Sequence, residues 1–87
     1  MLPEEIKQLI EAGLEDSEAY VEGDGAHFTA YVKSQVFSGK SRLERQQMVY
    51  NTVKTQLLDG TLHALSVKTF TLEEWEALEN RPSEGEV

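Results

Sequence analysis

The chain has 87 residues, 39% of them hydrophobic, and a formal net charge of −8, which fits one domain that buries about 60% of its unfolded surface. It contains no cysteine, and this excludes disulfides, thiolate catalysis and a metal site built from its own sulfurs. The sequence shows neither a basic region followed by an apolar leader nor an apolar run of 18 residues. We therefore expect a soluble, cytoplasmic protein that makes no use of a membrane.

The negative charge is unevenly distributed. Residues 1–24 hold eight acids and one base, and residues 73–87 hold six acids and one base, whereas residues 25–72 hold six bases and two acids. The middle of the chain can therefore present a positive face to an anion although the whole chain is acidic. The alternative interpretation is that acids at the two ends only favour solubility and helix termini.

The first half of the chain predicts a helix followed by two strands. Pro3 suits the first turn of a helix, and the apolar stripe of this helix includes Gly13, which either permits close packing or marks fraying. A short strand is predicted over Glu18–Glu22, followed by a turn at residues 23–25 and a long strand over Phe28–Phe37.

The second half predicts a long helix, a strand and a short helix. Ser41 and Glu44 have the spacing of a capping box, and one helix is predicted from there to Leu58, with an apolar arc that begins at Leu43. Gly60 ends this helix, and His63–Phe70 reads as a strand. A second capping box, formed by Thr71 and Glu74, starts a short helix that carries Trp75.

The order α-β-β-α-β-α predicts an α/β (α+β) fold with a three-stranded mixed sheet and helices packed on one face. The first two strands form an antiparallel hairpin, and the helical crossover makes the second and third strands parallel. Residues 1–80 are expected to form the domain, and residues 81–87 a flexible acidic tail. The predicted common core consists of Phe28, Val32, Tyr50, Val53, Leu65, Val67 and Trp75.

The residues offer almost no catalytic chemistry. No nucleophile is paired with a base, so no enzymatic activity is predicted. The histidines, His27 and His63, are the candidate metal ligands, although two imidazoles cannot complete a closed site. A structural, hydrogen-bonded role for each histidine is the alternative. The candidate anion-binding residues lie near the start of the central helix and along it: Lys40, Arg42, Arg45 and Lys54.

Three motifs together resemble the BolA family, in its short bacterial branch associated with acid stress. They are Phe37-x-Gly39-x-Ser41-x-Leu43-x-Arg45-Gln-Gln-x-Val49-Tyr50, His63-Ala-Leu-Ser66 and Glu74-Trp75. The resemblance implies a class II KH-like fold and a non-enzymatic protein that forms a heterodimer with a monothiol glutaredoxin. The pair would hold a [2Fe–2S] cluster together with glutathione, whereas the isolated chain would be a monomer without a cofactor. Some family members are also DNA-binding transcriptional regulators.

The resemblance also suggests roles for individual residues. His63 matches the histidine that precedes the last strand of the family and ligates the cluster. The second family ligand lies in the loop between the first two strands, where His27 is the available candidate. Lys40, Arg42, Arg45 and Lys54 would serve the alternative function, weak DNA binding. A KH domain grips a nucleic-acid backbone with a Gly-x-x-Gly loop, and Ser38–Ser41 has one of the two glycines. A purely structural adaptor is the third possibility.

Overall fold

The computed structural model describes residues 1–80, and these fold around one three-stranded sheet. No helix within this range is long and apolar enough to cross a membrane. The elements in chain order are α1 (Pro3–Gly13), β1 (Ser17–Gly23), β2 (His27–Ser34), a 3-10 turn (Gln35–Phe37), α2 (Arg42–Thr52), α3 (Lys54–Asp59), β3 (Ala64–Phe70) and α4 (Leu72–Glu79).

The sheet has β2 at its centre. β1 pairs with β2 antiparallel, with Ala19 opposite Val32. β3 pairs with β2 parallel, with Phe28 opposite Leu65. The predicted mixed sheet, the hairpin and the parallel crossover are therefore all confirmed.

The hydrophobic core lies between one face of this sheet and the helices α1 and α2. The side chains on this face of β2 are apolar at every second position until Ser34, as expected for a strand with one buried face. At the junction of the two helices Gly13 allows a close approach, because a Cβ atom there would lie 2.7 Å from Cγ2 of Thr52. The core consists of Ile6, Ile10, Leu14, Ala19, Phe28, Ala30, Val32, Phe37, Val49, Val53, Leu62 and Val67.

The last helix does not share this face. Trp75 stacks on Tyr20, with ring centroids 5.3 Å apart, and meets the edge of Phe70 at 5.2 Å. Tyr20 follows Ala19 in β1, and successive strand residues point to opposite faces, so Trp75 covers the face opposite the core. The prediction that all helices pack on one face is correct for α1 and α2 and wrong for Trp75. Four of the predicted core residues are buried, whereas Tyr50, Leu65 and Trp75 are half-buried.

The predicted continuous central helix is divided at Val53. This residue has φ −119° and ψ 19°, outside the helical range, and its side chain is fully buried. The hydroxyl of Thr52 donates to the carbonyl of Val49 at 2.6 Å, a local bond that bends helices. Two successive β-branched residues also disfavour helix continuation. At the start of α2, Leu43 is 64% exposed, so its predicted place on the apolar arc is wrong.

The predicted strand Phe28–Phe37 ends earlier, at Ser34. The Ser34 hydroxyl donates to the carbonyl of Glu15 at 2.9 Å and accepts from the amide of Val36 at 3.2 Å. These bonds turn the chain into a 3-10 turn, and Phe37 consequently enters the core with no exposed surface.

Candidate functional site

His27 is positioned by the turn between β1 and β2. The Asp24 carboxylate accepts hydrogen bonds from the amides of Ala26 and His27, both at 2.9 Å. These amide donors, that of His27 first, lower the pKa of Asp24. Gly25 supplies the positive φ of 102° that the turn requires. The turn thus places an exposed His27 at the first position of β2.

His63 is positioned by the segment that joins α3 to β3. Gly60 ends α3 in the left-handed conformation, with φ 83°, and the Asp59 carboxylate accepts from the amide of Thr61 at 2.8 Å. Leu62 is 1% exposed and donates its amide to the carbonyl of Gln56. Because Leu62 anchors the segment in the core, His63 is held at the surface immediately before β3.

The sheet register brings the two histidines to one end of the molecule. His27 lies opposite Ala64 on the parallel strand β3, and His63 precedes Ala64. Neighbouring strands are about 4.8 Å apart and consecutive Cα atoms about 3.8 Å, so the two histidine Cα atoms lie within roughly 9 Å. Both residues are exposed. Residues 1–80 contain no group of three or more metal-ligating side chains, so this end offers two nitrogen donors and needs further ligands from elsewhere.

The predicted basic residues are only partly brought together. Lys40 and Arg42 are exposed at the start of α2, where Ser41 forms the predicted capping box with Glu44. Arg45 is not free: its Nη1 lies 2.7 Å from the Glu74 carboxylate and its Nε donates to the carbonyl of Lys40. The hydrogen bond from Arg45 is the first cause that lowers the pKa of Glu74.

Lys54 stands apart from the other three. α2 spans about 15 Å along its axis between Arg42 and Thr52, and Lys54 opens the next helix beyond the break. Lys68, which no motif singled out, instead lies near Arg42. An open groove of about 380 Å³ contacts both residues between α2 and β3. The alternation of side chains between the two faces of β3 could have indicated this residue from the sequence, because it places Lys68 outside the core.

This groove continues towards α4. A second open space of about 430 Å³ adjoins it and shares Arg42, Thr69 and Phe70 with it. We call the two together the basic groove; its lining residues are Lys40, Arg42, Arg45, Gln46, Val67, Lys68, Thr69, Phe70, Glu74 and Leu78. The basic groove follows the second half of β3, from Val67 to Phe70, whereas His63 precedes the strand, so the groove begins about 13 Å from His63 along β3.

The structure is that of a small α+β domain with one mixed sheet and two candidate surfaces, the histidine pair and the basic groove. The chain belongs to the family described as BolA-like protein, whose family model matches residues 5–74. It is 37% identical over 71 residues to the acid stress protein IbaG of Escherichia coli K12, which covers 82% of this chain and 84% of that protein. It is 38% identical over 58 residues to the DNA-binding transcriptional regulator BolA of the same strain, covering 67% of this chain and 54% of that one. These names describe an acid stress protein and a DNA-binding transcriptional regulator.

The solved structures of similar proteins agree with this assignment. A bolA protein homologue from Coxiella burnetii superposes with a TM-score of 0.79 at 42% identity, covering 87% of this chain and 97% of that one. Yeast Fra2 superposes with a TM-score of 0.71 at 30% identity, covering 97% of both chains. The sequence-based identification of the BolA family and its fold is confirmed.

Proposed function

We propose that this protein is a non-enzymatic partner of a monothiol glutaredoxin and that the two chains together ligate a [2Fe–2S] cluster. His63 is one ligand from this chain and His27 the second. The observation that carries the proposal is the pairing of His27 with Ala64, because it puts two exposed imidazoles at adjoining strand ends. The cellular role is iron–sulfur trafficking, iron homeostasis or the response to acid stress.

The donor set explains why a partner is needed. The chain has two histidines and no cysteine, so the sulfur ligands come from the glutaredoxin thiolate and from glutathione. When imidazole replaces thiolate on one iron, the reduction potential of a [2Fe–2S] centre rises. The form of histidine that ligates a metal is the neutral imidazole.

The test is the visible circular dichroism of a cluster-loaded complex, co-purified with a monothiol glutaredoxin. We expect His63→Ala to abolish the spectrum of the mixed complex and His27→Ala to alter or weaken it. Ser66→Ala, at another exposed position of β3, serves as the matched control and should leave the spectrum unchanged. Far-ultraviolet circular dichroism of each free variant checks the fold. An unaltered visible spectrum for His63→Ala would remove this residue from the ligand set.

The second candidate function is DNA-binding transcriptional regulation, and the exposed pair Lys40 and Arg42 at the start of α2 favours it. A helix N-terminus with adjacent cations suits a phosphate. Only three or four phosphate contacts are available, so we expect weak binding that falls steeply with salt. Arg42→Glu should reduce a gel shift much more than Lys54→Glu. Equal effects of the two charge reversals would show that binding follows net charge alone.

A further inference from the structure

β3 is an outer strand of the sheet, and the directions of its backbone groups follow from two hydrogen bonds. The hydroxyl of Tyr50 donates to the carbonyl of Leu65 at 2.8 Å, so the backbone of Leu65 points away from β2. On the other outer strand, the amide of Ala19 donates to the Glu11 carboxylate at 2.9 Å, so Ala19 and its partner Val32 do not bond to each other. The backbone N–H and C=O groups of Val32, in the central strand β2, must then point towards β3.

Both observations give the same alternation along β3. A residue of β2 that faces β3 bonds to the residues on either side of its own partner in a parallel ladder. The backbone groups of Ala30 point towards β3, because those of Val32, two residues later, do so. Ala30 is paired with Val67, so its backbone bonds to Ser66 and Lys68. Val67 and Thr69 therefore direct their N–H and C=O groups outwards. Within residues 1–80, no backbone partner outside the sheet ladder bonds to either residue.

The basic groove runs along this free edge. Val67 and Thr69 both line it, and Arg42 and Lys68 flank it. Neither cation forms an ion pair with a described residue, whereas the nearby Arg45 is neutralised by Glu74. At the α4 end Leu78, which is 52% exposed, adds an apolar side chain to the lining of the groove.

We propose that the basic groove binds an extended, acidic segment of a partner protein, which adds to β3 as a fourth strand. Main-chain bonds to Val67 and Thr69 supply the pairing, as in other cases of strand addition to a sheet edge. Arg42 and Lys68 donate hydrogen bonds to carboxylates of the segment, and an apolar side chain of the segment covers Leu78. Along β3, Val67 lies about 13 Å and Thr69 about 20 Å from His63, so the groove and the proposed cluster site share no residue.

A protein segment fits these groups better than a nucleic acid does. A DNA backbone carries hydrogen-bond acceptors but no donors, so it would leave the outward carbonyl groups of Val67 and Thr69 without backbone partners. Glu74 also lines the groove and is paired with Arg45, so these two residues together add no net positive charge that would favour a phosphate chain.

The test uses a fluorescein-labelled octapeptide of alternating valine and glutamate, titrated with the full chain and followed by anisotropy. We expect binding that weakens about tenfold or more with Arg42→Glu combined with Lys68→Glu. Lys54→Glu, an equal charge reversal per site outside the groove, should change the affinity less than about twofold. The same peptide N-methylated at alternate residues should bind much more weakly, because it cannot complete the ladder.

Four outcomes would overturn the proposal. Equal binding of the N-methylated peptide would show that no strand is added. Equal binding of a control octapeptide of alternating valine and lysine would show that charge plays no part. Displacement of the peptide by octameric oligo-dT of equal or higher affinity would assign the groove to nucleic acid. Binding that appears only with Glu84→Gln and Glu86→Gln would assign it to residues 81–87 of this chain. None of these results depends on the cluster, so the proposed function is tested separately.

Discussion

Phe37 is completely buried between the sheet and its helices, whereas Trp75 is half-buried on the opposite face. The Trp75 ring contacts Tyr20 and Phe70 and has the Lys33 ammonium 5.2 Å from its centroid. Its neighbours are therefore surface side chains that can rearrange when the ring is removed. The larger aromatic residue should consequently matter less for stability than the smaller one.

We expect Phe37→Ala to lower the free energy of unfolding by about 3–5 kcal/mol, because it leaves a cavity in the core. Trp75→Ala should cost about 1–3 kcal/mol, the sum of partial burial and two aromatic contacts. Urea denaturation of both variants measures the difference. If Trp75→Ala is the more destabilising of the two, the packing described for α4 is incorrect.

Glu74 gives a second prediction at the scale of single residues. Its pKa is lowered in the folded protein by the hydrogen bond from Arg45 and then by the amide of Thr71. A carboxyl with a lowered folded pKa stabilises the protein above its unfolded pKa, and this contribution disappears as the pH falls through the folded pKa. Glu74→Gln should therefore reduce stability at neutral pH and leave it unchanged in strong acid.

The size of this effect is limited, because the Glu74 side chain is 48% exposed and solvent screens the pair. We expect less than about 1 kcal/mol at pH 7. Thermal unfolding between pH 7 and pH 3 measures it, with Glu73→Gln in the same turn as the matched control. A constant difference between wild type and Glu74→Gln down to pH 3 would contradict the assignment to this carboxylate.

At the scale of elements, the helix starts were predictable and the helix interruption was not. The capping boxes at Ser41 and Thr71 are both confirmed, because their spacing is a local property of the chain. Thr52 and Val53 are β-branched and disfavour helix continuation locally, but the burial of Val53 and the close approach of Gly13 to Thr52 are tertiary contacts that the sequence does not show. The side of the sheet on which Trp75 packs was likewise unpredictable, since an apolar stripe does not specify which face it meets.

The cap of α2 provides the prediction at this scale. The Ser41 hydroxyl accepts from the amide of Glu44 at 3.2 Å, so Ser41→Ala leaves that amide without its side-chain partner. We expect a loss of about 1 kcal/mol in urea denaturation. Ser38→Ala, three residues earlier and also exposed, is the control and should be close to neutral. Equal losses for the two serine variants would mean that the cap contributes nothing specific.

At the scale of the whole molecule, the parallel pairing of β2 and β3 separates the two proposed surfaces. His27 and His63 were identified from the sequence, and the strand register explains how they come to one end. The basic groove was only partly predictable: Arg42 was identified, Arg45 is occupied by Glu74, Lys54 lies elsewhere and Lys68 was missed. Ion pairing and strand direction are long-range properties, and the pattern of charges along the chain does not contain them.

The separation predicts that the two surfaces act independently. His63→Ala should abolish the cluster spectrum without changing the affinity for the acidic peptide. Arg42→Glu should weaken peptide binding without changing the cluster spectrum. The double variant should therefore bind the peptide with the affinity of Arg42→Glu alone, within about 0.5 kcal/mol. Peptide titration of the cluster-loaded complex measures this directly, and a coupling well above that value would indicate that the surfaces communicate.

The Glu11 carboxylate on the outward amide of Ala19 has a consequence for how many molecules can assemble. A sheet with two unpaired edge strands can pair with another molecule at each edge, and such pairing can continue without limit, as it does in fibrils. In this domain the Glu11 side chain occupies the outward amide of Ala19 near the middle of the β1 edge, which hinders strand addition there. Strand addition is therefore expected at the β3 edge alone. A complex formed through this sheet should contain one domain and one added segment and should not extend further.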